Sequence, residues 1–300
     1  VSNVDVTLKL KDGKVQSKQI EGVLSETKDY GVSEEFMKKF APQYDAVNQF
    51  VSKKIGTFTE DISTRPSFFG PSAFIDFIHT LQLEISGADI SFTAPLSFDA
   101  EIRKGDIHVS DMFNLYKYEN MLYVMNLTGR EIKDFLEESY YLWTNRMKSP
   151  DDHLLWFKEK PREGAEDRAS FQNFSFNFDS ASGIIYTVDV TKPQGEKITI
   201  TSMADGSPFR MDKIYKVALN SYRGNGGGEL LTKGSGIPQE DLKDRIIFST
   251  DKDLRFYLMN YIEKKGTMNP KALNQWKFVP EKWTVPAAKR DSEYLFRSVQ

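Results

Sequence analysis

The stretch LTGREIKDFLEESYYLW, Leu127 to Trp143, decides the fold class. Thr128 and Glu131 stand three residues apart in the pattern of a capping box, in which the hydroxyl and the carboxylate each satisfy an amide of the first helical turn. Ile132, Phe135, Leu136, Tyr140 and Trp143 then fall on one apolar stripe at helical spacing. A helix with one apolar stripe needs a second layer to cover it, and the flanking sequence supplies strands. ADISFTA (88–94) reads as a buried strand, and FQNFSFNFD (171–179), SGIIYTVDVT (182–191), EKITITSM (196–203) and IYKVALNSY (214–222) resume strand patterns that need a sheet to join. The chain reads as mixed α and β, without internal repeats.

On either side of this block the same signals continue. VDVTLKLKDGKVQSKQI (4–20) is a hairpin turning at Asp12-Gly13. A helix is expected from Ser33, kinked or split by Pro42. GPSAFIDFIHTLQL (70–83) places Pro71 in a first turn, with Phe74, Phe77, Ile78 and Leu81 at helical spacing. STDKDLRFYLMNYIEKKG (249–266) is a capped helix with Leu254, Tyr257, Leu258, Tyr261 and Ile262 inward and Gly266 as its stop. The charged, turn-rich run from Ser149 to Ala169 is a surface excursion, equally a domain boundary or a loop within one domain. The last twenty residues show no clear period and are expected to wrap the surface. The expectation is one domain over 1–300, with a core of about 55–266 on which the hairpin and helix of 1–54 and a tail of 280–300 pack.

Composition narrows the function. Forty Lys and Arg against 43 Asp and Glu leave a net charge of -3, which argues against a nucleic-acid polymer or an anionic membrane as partner. No run approaches the roughly 20 apolar residues of a membrane span. The chain begins VSNVDVTLKL, without Met, as a mature or trimmed form would. Cysteine is absent, so disulfides, thiolate metal sites and a cysteine nucleophile drop out. His79, His108 and His153 fall at no metal-ligand spacing, and His79 is expected to be a satisfied core histidine. Nucleophile-elbow and phosphate-loop motifs are missing, and GNGGGE (224–229) fails the dinucleotide pattern because Glu229 takes its last glycine.

What remains is LNSYRGNGGGELL, Leu219 to Leu231, with four glycines among five residues behind a tyrosine and an arginine. Glycines at the end of a strand let backbone approach a ligand closely, and they serve a ligand-free tight turn equally well.

Three blocks in order break that tie: the run from Gly87 to Ser139 containing KYEN and LTG, then ASGIIYTVDV (181–190), then IYKVALNSYRGNGGGELL (214–231). Together they resemble the carboxy-terminal, substrate-binding domain of the 5′-nucleotidase and 2′,3′-cyclic-nucleotide phosphodiesterase family, over about 55–266. The resemblance implies an α+β fold of mixed β-sheets with helices packed on the outer faces. It also implies a nucleobase held between Tyr118 and Tyr222, with Asn120 and a backbone contact at Gly183. Gly226, Gly227 and Gly228 would clear space for the sugar. The family's ribose-binding aspartate falls at Gly228, with Glu229 one step on as its substitute. Asp99 stands where the family carries a phosphate-binding arginine, so phosphate capture in the family's manner is doubtful; Arg65 is a loose match for a second such arginine, and Arg223 is a further candidate charge.

The family's metal-binding signatures are missing from this sequence. No catalytic residue, metal ligand or cofactor is therefore expected in this chain, and divalent metals belong on a separate metallophosphatase domain or chain. The family implies a bacterial exported setting, periplasmic or at the cell surface. Three readings stay open: a nucleotide-recognition part working with a metallophosphatase, a stand-alone module for nucleosides or another flat ligand, and a scaffold in which GNGGG is only a turn.

Overall fold

A computed structural model describes residues 1–159 and 170–296. The chain divides into two compact units, Val1–Val51 and Ser52–Gln300. In the first, β1 (Ser2–Lys11) pairs antiparallel with β2 (Lys14–Leu24). Asp12 and Gly13 at the turn both take positive φ, 51° and 74°, as a tight hairpin whose twist matches its strands requires. The helix α1 (Glu34–Val51) is capped by the Ser33 hydroxyl, which accepts from the Phe36 amide at 3.3 Å. It runs on through Pro42 instead of splitting there; Pro42 removes one helical donor, and the turns on either side carry the helix across.

The second unit follows a mixed order. It begins with β3 (Lys54–Phe58), β4 (Ile62–Ser63), α2 (Ala73–Ser86), β5 (Ile90–Thr93), β6 (Glu101–Ile102), β7 (Gly105–His108), α3 (Asp111–Leu115), β8 (Met121–Thr128) and α4 (Gly129–Trp143). It continues with β9 (Ser180–Ser182), β10 (Ile184–Asp189), β11 (Ile198–Met203), β12 (Ile214–Asn220), α5 (Ser221–Gly224), α6 (Leu242–Arg245), β13 (Ile246–Asp253), α7 (Leu254–Lys265), β14 (Thr267–Met268), β15 (Trp276–Val279) and α8 (Glu281–Leu295). The main sheet has the order β13-β8-β12-β5-β9, with β5 parallel to β12 and its other pairs antiparallel. Smaller sheets β11-β10-β15, β14-β3-β7 and β4-β6 flank it.

Alternation along the central strands sends side chains to two cores. Ile90, Phe92, Val217 and Leu219 join the core under α4, where Phe92 stacks on Phe135 with centroids 4.1 Å apart. Ala218 and Leu122 face the other core, built with α2 and α7. Helices thus cover both faces of the sheet, as the α+β reading requires. The Thr128–Glu131 capping box forms as expected, and all five residues of the α4 stripe are buried.

Several local expectations need correction. Ser72, not Pro71, begins α2: its hydroxyl accepts from the Ile75 amide, which leaves Pro71 ahead of the cap. FQNFSFNFD is not a strand; Ser175–Asn177 form a single 3-10 turn, because side-chain bonds from Arg223 rather than a sheet ladder fix this segment. In α7 only Leu254, Leu258 and Ile262 are buried, while Tyr257 and Tyr261 lie at its edge, bonded to Asp251 and Glu84. The carboxy-terminal segment is the helix α8, which buries Thr284, Ala287, Asp291 and Leu295 at helical spacing through small and polar residues that mask an apolar stripe. Part of the Ser149–Ala169 excursion, 160–169, and the last four residues of the expected tail lie outside the described residues.

Candidate functional site

Asn220, the last residue of β12, pairs with Leu122 near the start of β8. The segment before β8 and the turn after β12 therefore emerge at the same end of the sheet, and the Met121 amide donates to the Ser221 hydroxyl at 3.1 Å across them. This juxtaposition brings Tyr222 together with Tyr118 and Asn120, which lie more than a hundred residues earlier in sequence. With Leu96, Phe176 and Asn220 they line a cavity of about 190 Å³. Tyr118 is 41% and Tyr222 43% exposed, so both rings keep open surface.

The glycine run shapes the far wall. Asn220 caps α5 by accepting from the Arg223 amide at 2.8 Å, which turns the chain sharply under Tyr222. The Tyr222 ring lies on Gly227 so closely that a Cβ there would come within 2.5 Å of it. Gly228, at φ 71°, makes room for the Arg223 guanidinium and the Asn177 amide. The space left by these two glycines thus holds protein side chains, where the sequence reading put a sugar. Glu229 is exposed and takes φ 59°, strained for a residue with a side chain.

Arg223 is 1% exposed and uses every donor of its guanidinium. Nε and Nη2 form a fork with Asp179 at 3.0 and 2.8 Å, Nη1 donates to the Gly227 carbonyl at 2.5 Å and to Asn177 Oδ1 at 3.2 Å, and Nη2 also reaches the Phe176 carbonyl at 3.0 Å. Burial pushes the Asp179 carboxyl up, while the Arg223 charge pulls it back toward ionisation. Arg223 does not line the cavity; it holds the turn carrying Phe176 against the turn carrying Tyr222, whose rings meet edge to face at 6.3 Å.

The other expected residues lie elsewhere. Asp99 and Arg65 form a bidentate pair at 2.7 and 2.8 Å, with the guanidinium 5.0 Å from the Phe296 ring, and neither lines the cavity. Gly183, at φ 95°, donates its amide to Gln275 Oε1 at the β9–β10 junction, where a Cβ would collide with the Asp89 carbonyl. Leu96, Phe176 and Asn220 were missed as lining residues. Phe176 was hidden by a strand reading, Asn220 by its place inside the NSY block, and Leu96 carries no local signal of a pocket.

The lining carries no charge, only aromatic faces, one aliphatic side chain and two amides. Beside the two lining amides lies Tyr116, fully buried, with its hydroxyl at Asn120 and Asn220; burial pushes its phenol up, so it stays protonated. Such a site suits a flat, neutral ring with a hydrogen-bonding edge. His79 is buried between the Ser91 and Ser180 hydroxyls at 2.9 and 3.1 Å, as expected of a core histidine. Among the described residues no three His, Asp or Glu converge as a metal site.

Comparison with known proteins matches residues 54–233 to the 5′-nucleotidase, C-terminal domain family. The trifunctional nucleotide phosphoesterase protein YfkN of Bacillus subtilis is 32% identical over 196 residues, 61% of this chain and 12% of that protein. A 2′,3′-cyclic-nucleotide 2′-phosphodiesterase/3′-nucleotidase of Haemophilus influenzae is 26% identical over 276 residues, 80% of this chain and 39% of its own length. The solved structure of a Staphylococcus aureus protein described as a 5′-nucleotidase shares the fold, with a TM-score of 0.64 at 19% identity over 91% of this chain and 49% of that one. The chain therefore spans well under half of the curated relatives it matches. No helix among the described residues is long and apolar enough to cross a membrane. With three ordered sequence blocks, the family match and the shared fold in agreement, the chain belongs to the 5′-nucleotidase C-terminal domain family.

Proposed function

We propose that this chain recognises the nucleoside part of a nucleotide for a phosphohydrolase whose metal-dependent chemistry resides in a separate metallophosphatase domain or chain. The observation that carries this reading is the uncharged cavity in which Tyr118 and Tyr222 expose ring faces beside the Asn120 and Asn220 amides. A base entering it would stack on one or both tyrosines and present its polar edge to the amides. The nearest expected phosphate groups do not favour an anion there, because Arg65 is spent on Asp99 and Arg223 on Asp179. That relatives in the family are nucleotide phosphoesterases and nucleotidases supports the ligand class, and their extra length leaves room for a catalytic partner. The relatives are bacterial proteins, which supports a bacterial setting; export rests on the family resemblance alone.

Calorimetric titration of the chain with adenosine or guanosine tests this. Stacking on an aromatic ring contributes roughly 1–3 kcal/mol per base. Tyr118→Ala and Tyr222→Ala should each weaken nucleoside binding by that amount, with melting nearly unchanged because both rings are already half exposed. Two destabilised variants, with no nucleoside binding by the parent, would leave the scaffold reading standing instead.

A further inference from the structure

A second cleft, sharing no residue with the first, opens between the end of α4 and the β10–β11 connection. Its volume is about 310 Å³, and its lining includes Tyr141, Trp156, Arg146, Lys192 and Lys197 but no carboxylate. The Tyr141 and Trp156 rings stand at 5.8 Å and 62° to each other, giving the cleft a ring face and a ring edge. Arg146 disfavours the charge on Lys197, while Glu137 and Asp189 behind the lining favour it, and no carboxylate lines the cleft to meet the donors that point into it.

Lys197 is the decisive residue. It is 2% exposed, and its ammonium has three donors to satisfy. Its one hydrogen bond among the described residues is a long one, 3.4 Å, to the Thr144 hydroxyl, which itself donates to the Tyr140 carbonyl. The nearby carboxylates are already taken. Glu137 accepts from the amides of Gly195, Lys197 and Ile198 and from Lys133 Nζ, and Asp189 Oδ1 accepts from both the amide and hydroxyl of Thr191. Burial holds the Lys197 ammonium down to about 8, so it is mostly charged at neutral pH while short of acceptors. Arg146 spends Nε on the Thr191 carbonyl and keeps its outer nitrogens at the exposed rim. A buried, charged donor with unfilled directions facing a cleft is unfavourable unless the cleft supplies acceptors.

We propose that this cleft binds a small planar molecule bearing an oxyanion, with its carboxylate or phosphate oxygens accepting from Lys197 and Arg146 and its flat body lying against Trp156 and Tyr141. Lys192 closes the positive rim. The shared chemistry is an oxyanion on a flat ring, and phenyl phosphate and benzoate serve as probes of its two forms.

Titration calorimetry of the whole chain compares phenyl phosphate, benzoate, inorganic phosphate and benzyl alcohol. Saturable binding of one aromatic anion is expected, with benzyl alcohol and inorganic phosphate each about tenfold weaker or worse, since they lack the charge or the ring. Arg146→Ala and Lys197→Met should each weaken that binding about tenfold or more, as truncating a charge partner does. Binding of phenyl phosphate alone assigns a phosphate ligand, and binding of benzoate alone assigns a carboxylate. If Lys197→Met does not fold, Arg146→Ala, at an exposed position, carries the test. No saturable binding of either aromatic anion, affinities untouched by the substitutions, or inorganic phosphate binding as tightly as phenyl phosphate would each overturn the proposal.

Discussion

His79 and Asp76 sit three residues apart on α2, both buried, and titrate in opposite senses. Burial holds the His79 imidazole down to about 3 from 6.5, and pushes the Asp76 carboxyl up to about 6 from 3.8. As pH falls below 6.5 the unfolded chain binds a proton on His79 that the folded chain refuses, so stability is lost with acidification. Asp76 works the other way: the folded chain takes its proton first, so its contribution is full below 3.8 and is lost as pH rises through about 6. Between about pH 4 and 6 the two slopes, each about 1.4 kcal/mol per pH unit, nearly cancel, and below pH 4 His79 acts alone. Asp76→Asn keeps an oxygen for the Leu273 amide and removes one slope. Its melting temperature should therefore fall more steeply than the parent's from pH 6 to 4. Parallel curves for the two proteins would show that Asp76 is not held protonated.

Arg223 shows how much of an element's role sequence conceals. In NSYRGNGGG the arginine follows a pocket tyrosine and reads as a ligand charge, yet it is buried against Asp179, which lies 44 positions upstream. The α4 stripe, its capping box, the buried strand β5 and the Asp12-Gly13 turn were legible because each depends on neighbours within a few residues. Tyr118, Asn120 and Tyr222 were legible only through the ordered family blocks, since the β8–β12 pairing that unites them has no local signature. The 3-10 turn at Ser175–Asn177 and the pairing of Asp99 with Arg65 were not, because long-range partners decide both. Asp179→Asn removes the charge that Arg223 answers. Breaking a buried pair by removing one partner costs about 3–5 kcal/mol, so chemical denaturation should register a loss of that size. A loss below about 1 kcal/mol would mean that the carbonyls of Phe176 and Gly227 suffice to hold the guanidinium.

The two compact units differ in how they are stabilised. In Ser52–Gln300 two apolar cores lie on opposite sides of the main sheet, whereas β1, β2 and α1 contain no buried residue. The groups that bind two metal ions for phosphate-ester hydrolysis do not assemble in either unit among the described residues. Incubated with AMP and manganese, the purified chain should release no phosphate; turnover that co-purifies with it and changes on mutation of its own residues would refute this. The five bonds of Arg223 join protein groups alone, so on the proposed function a nucleoside would meet walls already in place. Association should then be one bimolecular encounter, with stopped-flow relaxation rates rising linearly in nucleoside concentration and reaching no plateau. In Asp179→Asn, where the Phe176 turn is no longer tied down, the same plot should bend over as loop ordering becomes the slow step.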